Sequence, residues 1–166
     1  MIITLLGMLV DGEACADSDK YVGYALDLGA AAPSFPGAAD IWIVLSTSVA
    51  ASYADSDETY EFQLHMGTGV DGSDDINDGV KIIESTTALA GNDTRLATAG
   101  EFIWRHTLDY ECSSRALSAD NRQYIQLYYA QTGSTNTISV DFTISPSKPR
   151  TDYNIQVEFS PVVLPT

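Results

Sequence analysis

Strict alternation of apolar and polar residues narrows the choice of fold for this chain more than any other feature. In Tyr60-Glu61-Phe62-Gln63-Leu64-His65-Met66 and in Ile138-Ser139-Val140-Asp141-Phe142-Thr143-Ile144 the two kinds alternate without a break. A period of two puts one set of side chains on a buried face and the other in water, which describes a half-buried strand. Ile155-Gln156-Val157-Glu158-Phe159 repeats the pattern. Asp40-Ile41-Trp42-Ile43-Val44-Leu45-Ser46 is apolar on both faces, as a covered strand would be. Phe102-Ile103-Trp104-Arg105-His106-Thr107-Leu108 and Tyr124-Ile125-Gln126-Leu127-Tyr128-Tyr129 add aromatic and β-branched strands. Residues 24–28 and 80–85 are weaker strand candidates.

Turn formers separate these runs. They include residues 28–37, residues 71–79, Gly91-Asn92-Asp93 and Thr132-Gly133-Ser134. Pro146 and Pro149 follow one strand, where proline cannot donate a ladder bond. Helical periodicity is nearly absent; residues 118–122 could form a short helical turn or a plain one. About eight to nine strands at a spacing of roughly 10–20 residues predict an all-β antiparallel sandwich, of jelly-roll type. Phe62, Leu64, Trp104, Leu127, Val140 and Phe142 are its predicted core. One domain over residues 1–166 is expected.

Composition excludes several partners. With 23 Asp+Glu against 8 Lys+Arg, the net charge is −15. Such a chain is repelled by a phosphate backbone and by an anionic membrane surface, so neither nucleic acid nor membrane is an expected partner. The apolar start, residues 1–10, lacks the basic stretch of a secretory signal and falls short of the roughly 20 residues that span a bilayer. It reads as a first strand or a hydrophobic arm, closed by a turn at Asp11-Gly12-Glu13. Cys15 and Cys112 have no metal-binding spacing and are expected as two free thiols.

Candidate chemistry is sparse. The acidic stretch Asp71-Gly72-Ser73-Asp74-Asp75-Ile76-Asn77-Asp78-Gly79 offers oxygens for a cation, with Asp71, Asp74 and Asp78 as candidate ligands. Aligned on Gly79 as a calcium loop, it fails twice: Ile76 has no ligand oxygen, and Ser85 stands where a glutamate is needed. A solvated hairpin loop without metal is therefore the expectation. His106, Asp109, Cys112 and Ser113 lie close together but lack a nucleophile elbow or an oxyanion glycine. Glu101 and Asp109 have no more support as a glycosidase pair. No enzyme activity and no cofactor are expected. Trp42 and Trp104 sit in apolar strands and are assigned to the core. Tyr124, Tyr128 and Tyr129 straddle both faces of one strand, so at least one of them is expected outward, where tyrosine serves interfaces.

The order of several segments resembles the tailed-phage capsid cement, or decoration, proteins. The segments are Met1-Ile2-Ile3, Asp11-Gly12-Glu13-Ala14, Ala25-Leu26-Asp27-Leu28-Gly29-Ala30, Ile41-Trp42-Ile43-Val44 and Phe62-Gln63-Leu64-His65-Met66. Leu96-Ala97-Thr98-Ala99-Gly100-Glu101-Phe102 and Arg122-Gln123-Tyr124-Ile125-Gln126-Leu127-Tyr128-Tyr129 continue it, so the resemblance covers residues 1–144. The acidic stretch 71–79 and the extension 145–166 depart from the family pattern. The resemblance implies a jelly-roll virion protein on the outer capsid surface, made in the host cytoplasm. Its partners would be the major capsid protein and itself, as a homodimer or a trimer. The expected contacts are Ile3, Leu5 and Leu6 in the N-terminal arm, Tyr124, Tyr128 and Tyr129, and Val162, Val163 and Leu164 in a C-terminal arm (residues 145–166). The rival expectation is a carbohydrate-binding sandwich assisted by calcium in the acidic loop.

Overall fold

Every regular element among the described residues is a β-strand, as the period-two pattern requires. The computed structural model describes residues 8–16, 18–27, 41–108 and 124–145. In chain order the strands are β1 (Met8–Cys15), β2 (Lys20–Asp27), β3 (Ile41–Val49), β4 (Thr59–Gly67), β5 (Gly69–Val70) and β6 (Ile76–Asp78), followed by β7 (Lys81–Ser85), β8 (Leu89–Ala90), β9 (Phe102–Leu108), β10 (Tyr124–Thr132) and β11 (Ile138–Ser145). One sheet has the order β1-β11-β3-β9. The other has the order β2-β10-β4-β7, with β8 also pairing β4. β5 and β6 form a small separate hairpin. All pairings are antiparallel.

A single core lies between the two large sheets. Ile43 and Leu45 of β3, Ile103 of β9, and Val140 and Phe142 of β11 face Val22 of β2, Phe62 and Leu64 of β4, and Ile125, Leu127 and Tyr129 of β10. Two antiparallel sheets packed on one core make a β-sandwich. Phe62, Leu64, Leu127, Val140 and Phe142 are buried as expected, while Trp104 is partly buried and packs on the cluster's margin. Tyr129 corrects the sequence expectation. It is 0% exposed, with its ring centroid 5.6 Å from that of Phe62, and so is a core residue of this chain and no surface contact. Adjacent strand residues point to opposite faces, so an outward Tyr128 requires an inward Tyr129.

Asp11-Gly12-Glu13 is the second correction. No turn closes the first strand there; β1 runs through these residues and pairs with β11 to Cys15. The register shifts between Met8 and Val10 and again between Val10 and Glu13. Gly12 sits at φ 62°, a conformation that costs glycine little, and its amide donates to Asp141 Oδ1 at 2.6 Å. The turn-forming glycine thus serves as a bulge within a strand.

Candidate interface on the outer sheet face

β4 and β10 place alternate residues on the outer face of the second sheet. Glu61, Gln63 and His65 of β4 lie there, and so do Tyr124, Gln126 and Tyr128 of β10, because Tyr60, Phe62, Leu64, Ile125, Leu127 and Tyr129 occupy the core. Register sets Tyr128 between Tyr21 of β2 and Gln63 of β4. His65 lies opposite Gln126.

An aromatic cluster follows. The His65 ring stacks on Tyr128 at 4.8 Å and 14°. Tyr21 meets both rings edge-on, at 5.5 Å from His65 and 5.0 Å from Tyr128. His65 is only 6% exposed, and burial lowers its pKa from the ordinary value, so the neutral ring is favoured. The Tyr21 and Tyr128 phenols are raised, first by burial, and then by Tyr128 and Asp75 for Tyr21 and by Asp19 for Tyr128. Both therefore stay protonated.

A polar chain fixes the imidazole. Ser85 Oγ donates to Glu61 Oε1 at 2.5 Å, and Gln63 Nε2 donates to the same oxygen at 2.9 Å. Because the Gln63 amide nitrogen must face the carboxylate, its Oε1 faces His65 Nε2 at 2.8 Å and accepts a hydrogen bond from it. Nδ1 is then the acceptor for the Tyr21 hydroxyl at 3.0 Å.

Beside this cluster β2 bulges. Leu26 pairs with Ile125 and Val22 with Leu127, so Gly23, Tyr24 and Ala25 all stand opposite the single residue Gln126. A bulge frees backbone groups that need other partners. Gly23 N donates to Glu13 Oε2 at 2.8 Å, Gly23 O accepts from Gln126 Nε2 at 2.8 Å, and Ala25 N donates to Asp74 O at 3.0 Å. Glu13 is held in turn by Lys20 Nζ at 2.8 Å. The bulge leaves Tyr24 68% exposed, the highest value among the large hydrophobic residues described.

The acidic stretch docks onto the bulge. β5 and β6 pair across it as the expected hairpin. Gln126, 1% exposed, donates to Asp75 Oδ1 at 2.7 Å and accepts from Ile76 N at 2.9 Å, which ties the hairpin to β10. Asp71 Oδ1 accepts the Ser73 and Asp75 amides at 2.8 and 3.2 Å. That oxygen shapes a turn, as aspartate commonly does. Asp74, at φ 61°, and Asp78 are exposed. Among the described residues the acids gathered closely enough for one ion are Asp55, Asp57 and Glu58, so the structure does not assemble Asp71, Asp74 and Asp78 into a ligand set.

Of the contacts expected from sequence, Tyr124 and Tyr128 lie half-buried on the outer face. Ile3, Leu5, Leu6, Val162, Val163 and Leu164 lie outside the described residues, as do Asp109, Cys112, Ser113 and the short turn at 118–122. His106 stands on β9 opposite Ile43. Cys15 is a free, buried thiol. Sequence reasoning missed Tyr21, Tyr24 and His65. The available signal was that His65 occupies a polar position of an alternating strand. No model of a protein family matches the chain, and no curated protein sequence does.

Proposed function

We propose that this protein is a non-enzymatic capsid cement protein that binds the outside of an icosahedral phage shell and bridges major capsid subunits. The observation that carries the reading is the β2 bulge, which holds Tyr24 out at 68% exposure beside the Tyr21–His65–Tyr128 cluster. A rigid, outward aromatic on a braced backbone suits an interface anchor, because little conformational entropy is lost when it docks. The strand order adds support for a jelly roll. Leaving aside the short β5, β6 and β8, successive strands change sheets at every step except β4 to β7, giving β1-β11-β3-β9 over β2-β10-β4-β7. Two interleaved Greek keys have this order. The resemblance of residues 1–144 to the cement family supplies the partner. Many copies bound to one shell make a modest contact effective.

The test is co-sedimentation of the full chain with expanded shells of the co-encoded major capsid protein, followed by cryo-EM of the decorated particles. Density outside the shell that bridges capsomers is expected. Failure of the wild-type chain to sediment with shells, together with retention on a glycan column, would replace this reading with a carbohydrate-binding one.

A further inference from the structure

The loop before β4 and the turn between β10 and β11 are pressed together. A Cβ on Gly133 would lie 2.8 Å from Asp57 O and 2.9 Å from Glu58 Cα, and Gly133 has φ 102°. At this junction one carboxylate oxygen from each of Asp55, Asp57 and Glu58 lies within 4.8 Å of the others. Asp55 and Asp57 are exposed, whereas Glu58 is 0% exposed.

The two oxygens of Glu58 differ. Oε1 accepts from Ala54 N at 2.9 Å, Asp55 N at 3.1 Å and Thr135 Oγ1 at 3.1 Å. Oε2 is buried and has no donor. Asn136, also 0% exposed, shows the same deficit. Its Nδ2 donates to Thr59 O at 3.1 Å, and its Oδ1 is buried without a donor. Thr135 Oγ1 also lies 3.2 Å from Asp55 Oδ2, but one hydroxyl proton serves one carboxylate at a time. Among the described residues no basic side chain pairs with these three acids.

We propose that Asp55, Asp57 and Glu58 form a calcium site. A buried carboxylate oxygen without a donor, on a side chain clustered with two further carboxylates, needs a positive partner that the described residues do not provide. The donors are all oxygens, which suits a hard cation and not zinc. They come from one irregular loop, which suits the variable coordination of calcium better than the strict octahedron of magnesium. The exposed Asp55 and Asp57 give the ion a path from solvent. The site lies away from the acidic hairpin that the sequence nominates, and it does not depend on the capsid reading. Bound calcium would pin the segment before β4, against which the turn before β11 packs, and stabilise the native state by mass action.

The experiment measures terbium luminescence and thermal melting of the full chain with calcium, with magnesium and with chelator. Calcium is expected to raise Tm and to displace terbium from a saturable site. The pair Asp55→Asn with Asp57→Asn keeps the side-chain shapes and should weaken calcium binding by at least about tenfold. Asp74→Asn with Asp78→Asn, in the hairpin, should bind as the wild type does. Glu58→Gln is the more direct variant, but its buried hydrogen bonds make it prone to unfold, so the exposed pair carries the test. A wild-type Tm that calcium leaves unchanged overturns the proposal. So does an equal calcium shift in the Asp55/Asp57 variant, or a crystal grown with calcium that shows a water on Glu58 Oε2.

Discussion

The Tyr21 hydroxyl donates to Nδ1 of His65 at 3.0 Å, reaching from β2 to β4 over the strand between them. Tyr128, on that middle strand, stacks against the imidazole. The neutral ring, with its proton on Nε2, satisfies both contacts; a second proton on Nδ1 would face a hydroxyl that now donates.

Acid should therefore weaken the fold through His65. Its pKa is lowered in the native state, so the unfolded chain binds the proton first as pH falls below about 6.5. Stability is full above that value and declines as pH falls towards the native pKa. His65→Gln should lack this step. Urea melts of both proteins between pH 8 and 5 check it, and parallel pH profiles would exclude His65 as the source.

Gln126 saturates three groups at the bulge, namely Gly23 O, Asp75 Oδ1 and Ile76 N. Gln126→Leu keeps the side-chain bulk but leaves a buried amide and carbonyl unpaired. We expect a loss of about 2–6 kcal/mol, at 1–3 kcal/mol for each unsatisfied group. Hydrogen exchange should rise at Ile76 and Ala25 before the rest of the sheet. Uniform exchange would mean that the hairpin is held by other contacts.

Cys15 should be inert in the folded protein. Burial pushes its thiol up to about 12, with Lys20 lowering it and Glu13 raising it by smaller amounts. The thiolate is the reactive form. In a Cys112→Ser background, a thiol reagent at pH 8 should label Cys15 only at the rate of unfolding. Rapid labelling without denaturant would contradict the burial.

Tyr24→Ala should lower shell occupancy with little change in Tm, because its side chain is 68% exposed. An anchor residue of this kind is worth about 2 kcal/mol or more, roughly thirtyfold in affinity. Phe62→Ala, in contrast, should cost about 3–5 kcal/mol of stability through the cavity it leaves. Moderate salt should not strip the wild type if aromatic contacts dominate. Titration by co-sedimentation at two salt concentrations measures both effects, and wild-type occupancy by the Tyr24 variant would remove Tyr24 from the interface.

Much of the fold was legible because strand periodicity is local. Tyr60 to Met66 and Ile138 to Ile144 declare their buried faces residue by residue, and both became strands, with Tyr60, Phe62, Leu64, Met66, Ile138, Val140 and Phe142 buried. Phe102–Leu108 reads as a strand and forms one over the same residues. The candidate surface was less legible. Tyr124, Tyr128 and Tyr129 look alike in sequence, and alternation alone separates Tyr128 from Tyr129 once one face is known to be buried.

The chain by itself determined that it would form antiparallel strands around an apolar core, since the alternation and the turn formers leave few other ways to bury these side chains. Only the tertiary structure decided where the ladders break. Gly12 looked like a turn because its left-handed conformation is local, yet β11 pairs beyond it and makes it a bulge. Gly23, Tyr24 and Ala25 became a second bulge because the Glu13 and Gln126 side chains and the Asp74 carbonyl, each distant in sequence, supply the hydrogen bonds that the β10 backbone does not. The acids show the same division. Their number was plain from the composition, but the buried, donor-free oxygen of Glu58 belongs to a loop whose place depends on the distant turn at Gly133 packed against it.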